Sequence, residues 1–266
     1  MRIIRITLYA ACALLLACTT TMNSHTTAAK TELAPSGTLR AAINLGNPIL
    51  ANRGAANQAP HGVSVDLATE LARRLGVSLE LVIFEAAGKV VEGAKTNAWD
   101  IAFVAIDPLR GQDMLQTPPY VVIEGAYLVA NGSPLRSIDE VDMPGVRISA
   151  AKGSAYDLYL GRELKQARIV HSPTSQTVVD VFMAQKLDVA AGVKQQLEAD
   201  AQRIGGVRML PGRFMVINQA MATPKGRDAA ARLLHGFVEE MKASGFVAQA
   251  LARHGIKGAA VAPPAP

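Results

Sequence analysis

The sequence predicts an α/β protein of two lobes, each built on a parallel sheet, with two extended strands joining them. Short apolar runs alternate with amphipathic stretches in two successive series along the 266 residues. Alternation of strand and helix is typical of parallel sheets with helices packed on their faces. Two long β-prone runs, residues 121–130 and 215–222, follow the two series. We expect these runs to join the lobes.

The first series begins after residue 36. Residues 62–76 give its clearest helix, because apolar residues recur at helical spacing and the run ends at Gly76. The apolar residues of this helix are Val65, Leu67, Ala68, Leu71, Ala72 and Leu75. In order, we predict strand 39–43, helix 62–76, strand 79–84, helix 86–96 and strand 101–106.

The second series repeats this order without repeating the sequence. It predicts strand 146–150, helix 155–164, strand 169–171, helix 174–185, strand 189–192 and helix 194–202. Two helices close the chain, at 225–242 and 246–254, and the first of them has a strong apolar face. The Ala- and Pro-rich residues 259–266 are expected to be a disordered tail.

The N-terminus has the layout of a secretory signal over residues 1–17, in which a basic start precedes an apolar stretch. Residues 15–18, Leu-Leu-Ala-Cys, resemble the lipobox of bacterial lipoproteins, which implies a lipid on Cys18 and a membrane anchor. The alternative is ordinary cleavage after Ala29. Residues 18–36 are polar and without period, and we expect a tether there.

Composition excludes several kinds of protein. The net charge is +5; without the two signal arginines, 25 basic residues against 22 acidic ones leave +3. The net charge is small and the basic residues are not clustered, and only 5% of the residues are aromatic. Both observations argue against a nucleic-acid partner, because nucleic-acid binding relies on basic patches and on aromatic side chains that stack on bases. Both cysteines, Cys12 and Cys18, lie near the signal, which excludes thiol catalysis and disulfides in the body. The five histidines lack metal-ligand spacing, so we expect no metal and no cofactor.

Several motifs recur in the order known for one family. They are the helix GVSVDLATELARRLG at 62–76, the segment DIAFVAIDPLRGQDMLQTPPY at 100–120, GVR at 145–147 with GS at 153–154, KLDV at 186–189, and SGF at 244–246. From about residue 37 to 255 the chain resembles family 3 of the bacterial extracellular solute-binding proteins. These are the periplasmic components of polar amino-acid ABC transporters.

The resemblance implies a two-lobed periplasmic-binding-protein fold, type II-like, that closes on one small molecule. Lobe 1 would comprise residues 37–124 and 219–258, and lobe 2 residues 125–218. The hinge strands would be residues 124–128 and 215–220. It also implies a monomer in the periplasm, with the permease of an ABC transporter as partner.

The same resemblance implies a set of ligand-binding residues. Arg110 matches the arginine that holds the ligand's α-carboxylate, and a guanidinium offers a carboxylate two parallel donors. Gly153 and Ser154 stand at a helix start, where free N–H groups favour an anion. Asn44 lies where the family often has an acid in the first loop, and Asn47 follows it. The alternatives are a solvated loop arginine for Arg110, a plain cap for Ser154 and a plain turn residue for Asn44.

Three positions depart from the family pattern. Ala155 and Ala105 replace usual hydroxyl residues, and Val193 replaces the usual aspartate for the ligand's α-ammonium. An unpaired buried ammonium costs several kcal/mol. A standard α-amino acid is therefore not the expected ligand, unless Asp107 or Glu124 supplies the missing acid. The alternatives for these two are a turn residue and a hinge-strand hydrogen bond.

The sequence thus predicts a solute-binding protein, not an enzyme, that delivers a small organic anion or an amino-acid-like solute to an ABC transporter. One alternative is a cyclohexadienyl dehydratase on the same fold, acting on prephenate or arogenate with Asp107 or Glu124 as the acid. The other is a ligand sensor with no transport role.

Overall fold

The protein is described by a computed structural model over residues 26–54 and 58–266. The expected signal at 1–17 and Cys18 lie outside the described residues. Within the described ranges, no helix is long and apolar enough to cross a membrane.

Ten strands of the described chain form one mixed sheet, in the order β2-β1-β3-β9-β4-β7-β5-β6, with β8 and β10 paired to β4. The strands are β1 Thr38–Asn44, β2 Ser78–Phe84, β3 Ile101–Ala105, β4 Met114–Ala130, β5 Arg147–Ala151, β6 Arg168–Ser172, β7 Val189–Val193, β8 Val207–Met209, β9 Met215–Pro224 and β10 Ala260–Val261. Strands β1, β2 and β3 run parallel, as do β5, β6 and β7. Each parallel group is the centre of one lobe.

Helices cover the faces of both parallel groups. They are α1 at residues 26–33, α2 Val63–Leu75, α3 Ala87–Lys95, α4 Ala155–Glu163, α5 Val178–Ala184, α6 Lys194–Ile204, α7 Asp228–Ala243 and α8 Phe246–Arg253. Helix α2 buries all the apolar side chains predicted for it except Val65. The helix ends at Gly76, which has a φ of +60°, a backbone conformation that residues with a side chain rarely adopt. The alternation of strands and helices thus follows the prediction.

The two long strands β4 and β9 join the lobes and pair antiparallel with each other. Strand β4 also pairs with β7 of lobe 2, whereas β9 pairs with β3 of lobe 1. The lobe boundaries expected at 124/125 and 218/219 fall within β4 and β9, and they stay a prediction.

Strand β4 begins seven residues earlier than the predicted run, which placed a proline-rich turn before Tyr120. Instead the prolines lie inside the strand, where the register of the pairing with β9 shifts on either side of Pro119. A proline has no N–H for the ladder, and an irregularity tolerates its absence.

Most of the described part of the expected tether is helical. Residues 26–33 form α1, which buries Ala29 and Leu33 against lobe 1. Arg227 donates to the Glu32 carbonyl at 2.9 Å, and the Glu32 carboxylate accepts from the N–H of Ala230 at 2.7 Å. The folded body therefore begins at least ten residues before Gly37.

The C-terminal residues, predicted to be a disordered tail, pack on the body. Strand β10 pairs with Val121 and Val122 of β4, and the Ala262 N–H donates to the Tyr120 carbonyl at 3.1 Å. Lys242 donates to the Pro263 carbonyl at 2.8 Å. The prediction of disorder was wrong because it considered composition alone. The residues pair with backbone groups of β4 that composition does not indicate.

Candidate functional site

The carboxyl ends of β1, β3 and β7 and the loop between β5 and α4 meet between the two lobes. They enclose a small cavity of about 30 Å³. Backbone from the two lobes touches at its rim, where a Cβ on Gly153 would lie 2.9 Å from the Cα of Gly88. The lobes are thus closed on each other, and the cavity lies where the sequence predicted the ligand.

Arg110 is buried beside this cavity, with 2% of its surface exposed. Its Nη1 donates to the Ala105 carbonyl and its Nη2 to the Gly153 carbonyl, each at 3.0 Å. Its Nε is buried and has no hydrogen-bond partner among the described residues. Burial lowers the pKa of Arg110 to about 10, and the nearby Asp107 carboxylate opposes this shift. The guanidinium therefore stays charged at neutral pH.

The loop before α4 places Ser154 on the cavity wall and Gly153 directly beside it. The Ser154 hydroxyl caps the helix by accepting the N–H of Asp157 at 3.1 Å. The Asp157 carboxylate in turn accepts the N–H of Gly153 at 2.8 Å and contacts His171 at 2.9 Å. Gly153 has a φ of +72°, which glycine adopts without strain. Ser154 thus combines the predicted cap with a place on the cavity wall.

The two asparagines of the first loop also line the cavity. Asn44 Oδ1 accepts the N–H of Gly46 at 2.9 Å, which is the turn-forming role considered for it. Asn47 Oδ1 is buried without a hydrogen-bond partner in the described chain. Arg110 Nε and Asn47 Oδ1 are thus an unpaired donor and an unpaired acceptor on two residues of the lining.

The three positions that depart from the family pattern all line this cavity. Ala105 ends β3, Ala155 begins α4, and Val193 ends β7 with 8% of its surface exposed. No aspartate or glutamate occurs among the described residues of the lining. The cavity therefore carries one cation and no anion.

The structure does not bring Asp107 or Glu124 to the cavity. Asp107 accepts from Arg162 at 2.8 Å and from the N–H of Leu109 at 2.9 Å. Glu124 accepts from Arg213 at 2.7 Å and from Lys194 at 3.2 Å, on a different groove. These bonds, Arg213 first, hold the pKa of Glu124 below its usual value. Both carboxylates already have cationic partners.

Three polar residues of the lining were not found from the sequence. Gln219 lies beside Ala105 through the pairing of β9 with β3, and it is 5% exposed. Tyr156 donates to the Ser175 hydroxyl at 3.0 Å, and burial raises the pKa of Tyr156 to about 12. The strand β9 reaches the site from more than a hundred residues away, so no local pattern could have indicated Gln219.

Over the described residues, no group of three or more His, Cys, Asp or Glu side chains is placed to hold a metal ion. The chemistry of the cavity is therefore that of hydrogen bonds and a single positive charge. Such a site can bind an anion between the lobes.

Several solved structures of similar fold are described as solute-binding proteins or receptors. An L-cysteine receptor of Neisseria gonorrhoeae superposes with a TM-score of 0.74 at 17% identity, over 85% of this chain and 92% of that one. A putative binding component of an ABC transporter from Wolinella succinogenes, complexed with lysine, gives 0.71 at 22% identity, over 82% and 95%. An ancestral amino-acid-binding protein, a precursor of cyclohexadienyl dehydratase, gives 0.72 at 20% identity, over 86% and 99%. At these identities the likeness shows the fold.

No curated protein matches the sequence. The model of one family, described as bacterial extracellular solute-binding proteins, family 3, matches residues 39–256, which is most of the chain. The two-lobed fold and the cavity between the lobes agree with that match. The chain belongs to family 3 of the bacterial extracellular solute-binding proteins.

Proposed function

We propose that this protein captures a small organic anion that lacks an α-ammonium group and delivers it to an ABC transporter. The observation that carries the proposal is the charge of the cavity lining, which holds the Arg110 cation and no described carboxylate. A carboxylate ligand would neutralise Arg110, whereas an ammonium group would find no carboxylate in the described lining, with the apolar Val193 where the family has an aspartate. Burying that ammonium without a counter-charge would cost several kcal/mol.

Two unpaired polar atoms support a proposal for how such an anion is held. Arg110 Nε offers a charged donor, and Asn47 Oδ1 offers an acceptor to a hydroxyl or amide of the ligand. Ser154 and Asn44 bound the same space, and Gly153 directly precedes Ser154. We keep these residues in the proposed binding set and leave out Asp107 and Glu124.

Thermal shift against matched pairs of compounds tests this proposal. The pairs are alanine with propionate and glutamate with glutarate, each amino acid beside its deaminated acid. A ligand at a hundred times its dissociation constant adds about 2.7 kcal/mol, which is several degrees in Tm. We expect the acids to raise the Tm and the amino acids to leave it unchanged.

The matched variants are Arg110→Ala and Arg136→Ala, the second an exposed arginine away from the cavity. Arg110→Ala should abolish the shift, and Arg136→Ala should retain it. If an amino acid and its deaminated acid raised the Tm equally, the proposal that the cavity lacks a site for an ammonium group would be wrong. A shift that survives Arg110→Ala would refute the role of Arg110.

We also propose that the protein acts outside the cytoplasm and is attached to the membrane by a lipid on Cys18. The support is the lipobox-like sequence and membership of an extracellular family. Folded residues begin by position 26, so such an anchor would hold lobe 1 close to the membrane. Cys18→Ser should move the protein from the membrane fraction to the soluble one; an unchanged distribution would exclude the anchor.

The dehydratase alternative has support in the likeness to the ancestral precursor. The charges of the site weigh against it, because elimination needs a protonated acid beside the substrate. Asp107 and Glu124 are instead paired with cations outside the cavity lining. Release of phenylpyruvate from prephenate would establish this activity and displace the binding proposal.

A further inference from the structure

Asp107 and Arg162 connect the two lobes across the cleft. Asp107 follows β3 of lobe 1, three residues before Arg110, whereas Arg162 lies in the last turn of α4 in lobe 2. Their side chains form an ion pair with 2.8 Å between Nη1 and Oδ2. The Asp107 side chain is 3% exposed and that of Arg162 39% exposed. The buried carboxylate thus depends on a cation from the opposite lobe.

The other contacts described at this cleft do not join two opposite charges. Gln176 of lobe 2 donates to the Leu45 carbonyl of lobe 1 at 2.6 Å. Arg110 donates to the Gly153 carbonyl, and Gly88 meets Gly153 backbone to backbone. Among these contacts the pair of Asp107 and Arg162 joins opposite charges. It is also the contact whose loss would leave a carboxylate buried and unpaired.

We propose that Asp107 and Arg162 form a latch that stabilises the closed arrangement and so sets the affinity for the solute without touching it. The contact exists only when the lobes meet, and only such differential contacts shift the equilibrium between open and closed forms. Asp107 Oδ1 meanwhile accepts the Leu109 N–H, which ties the latch to the loop that carries Arg110. This inference deepens the proposed solute capture and assigns Asp107 a positioning role in it.

A distance measurement between the lobes tests the latch without any solute. Glu80 on β2 and Arg168 on β6 are exposed and lie on the outermost strands of the sheet. Spin labels on Glu80→Cys and Arg168→Cys, in the full chain carrying Cys12→Ser and Cys18→Ser, would report opening through the distribution of label distances. Because no ligand is added, the result is independent of which anion the protein binds.

Arg162→Gln should lower the ratio of closed to open molecules about tenfold, as the loss of a hydrogen bond between charged groups implies. Asp107→Asn keeps an acceptor for Leu109 and should lower the ratio similarly. The double variant should shift it no further than the larger single change. Arg162→Lys, which keeps the charge, should restore part of the closed population.

The matched control is Arg203→Gln, since Arg203 pairs with Asp180 and Asp200 inside lobe 2. That variant should leave the distance distribution unchanged. An unchanged distribution in Arg162→Gln would overturn the latch. The latch would also be overturned if the effects of the two single changes on the closed-to-open ratio added up in the double variant, because additive effects indicate that the two residues act independently.

Discussion

At the scale of one residue, the proposed function depends on Val193, which leaves its part of the cavity wall without a carboxylate. It ends β7 and precedes the first residue of α6, whose N-terminus has no side-chain cap. Replacing Val193 with aspartate would have two effects. It would cap α6, which stabilises by about 1 kcal/mol, and it would place a carboxylate on the cavity wall.

We therefore predict that Val193→Asp gives the protein affinity for α-amino acids. Calorimetric titration with alanine and with propionate should show at least a tenfold gain for alanine, since a buried ammonium would then have a partner. Val193→Asn is the matched control, because asparagine caps a helix as well as aspartate but carries no charge. An equal gain in the asparagine variant would show that capping, rather than charge, improved binding.

The candidate site was predictable where one short segment carries the chemistry. Arg110 and Ser154 were found because a buried strand or a helix start places them, and Ala105, Ala155 and Val193 because they depart from a known pattern. Asp107 and Glu124 were predicted less well. Their cationic partners lie 55 to 89 residues away in the sequence. A sequence pattern does not indicate which distant charge neutralises a carboxylate.

At the scale of elements, the periodicity of apolar residues predicted the helices and strands that bury one face and expose the other. Helix α2 is an example, since its apolar stripe faces the sheet and its polar face meets solvent. Helix α7 begins at Asp228, three residues after the predicted start, because Lys225 and Gly226 form the turn that leaves β9. The errors at β4 and β10 have a common cause. Pairing of distant strands, not composition, gives those residues their structure.

The C-terminal strand offers a direct stability prediction. Deleting residues 259–266 removes the pairing of β10 with β4, the bond from Ala262 to Tyr120 and the bond from Lys242 to Pro263. At about 1 kcal/mol net for each hydrogen bond, we expect a loss of about 2–4 kcal/mol in the free energy of unfolding. Guanidinium titration followed by circular dichroism would measure it.

The matched control ends the chain after Pro263. This form keeps β10 and the Lys242 contact and loses the bond from Ala265 to Glu239. It should cost less than about 1 kcal/mol. Equal stability of the full chain and the longer deletion would show that β10 contributes nothing to the fold.

At the scale of the whole molecule, two lobes do not imply two unfolding units. Strands β4 and β9 make the sheet continuous from one lobe to the other. One hydrophobic cluster includes Leu67 of lobe 1, Ile123 of β4 and Val189 of lobe 2. Opening of the cleft separates the lobe surfaces, whereas unfolding of either lobe would expose this shared core.

We therefore predict a single cooperative thermal transition, with equal calorimetric and van 't Hoff enthalpies. Because Cys12 and Cys18 both precede the described body, a reducing agent should leave the Tm unchanged. Differential scanning calorimetry with and without dithiothreitol measures both properties. Two resolved transitions would show that the lobes unfold separately, and β4 and β9 would then act as a linkage between independent domains instead of as part of one core.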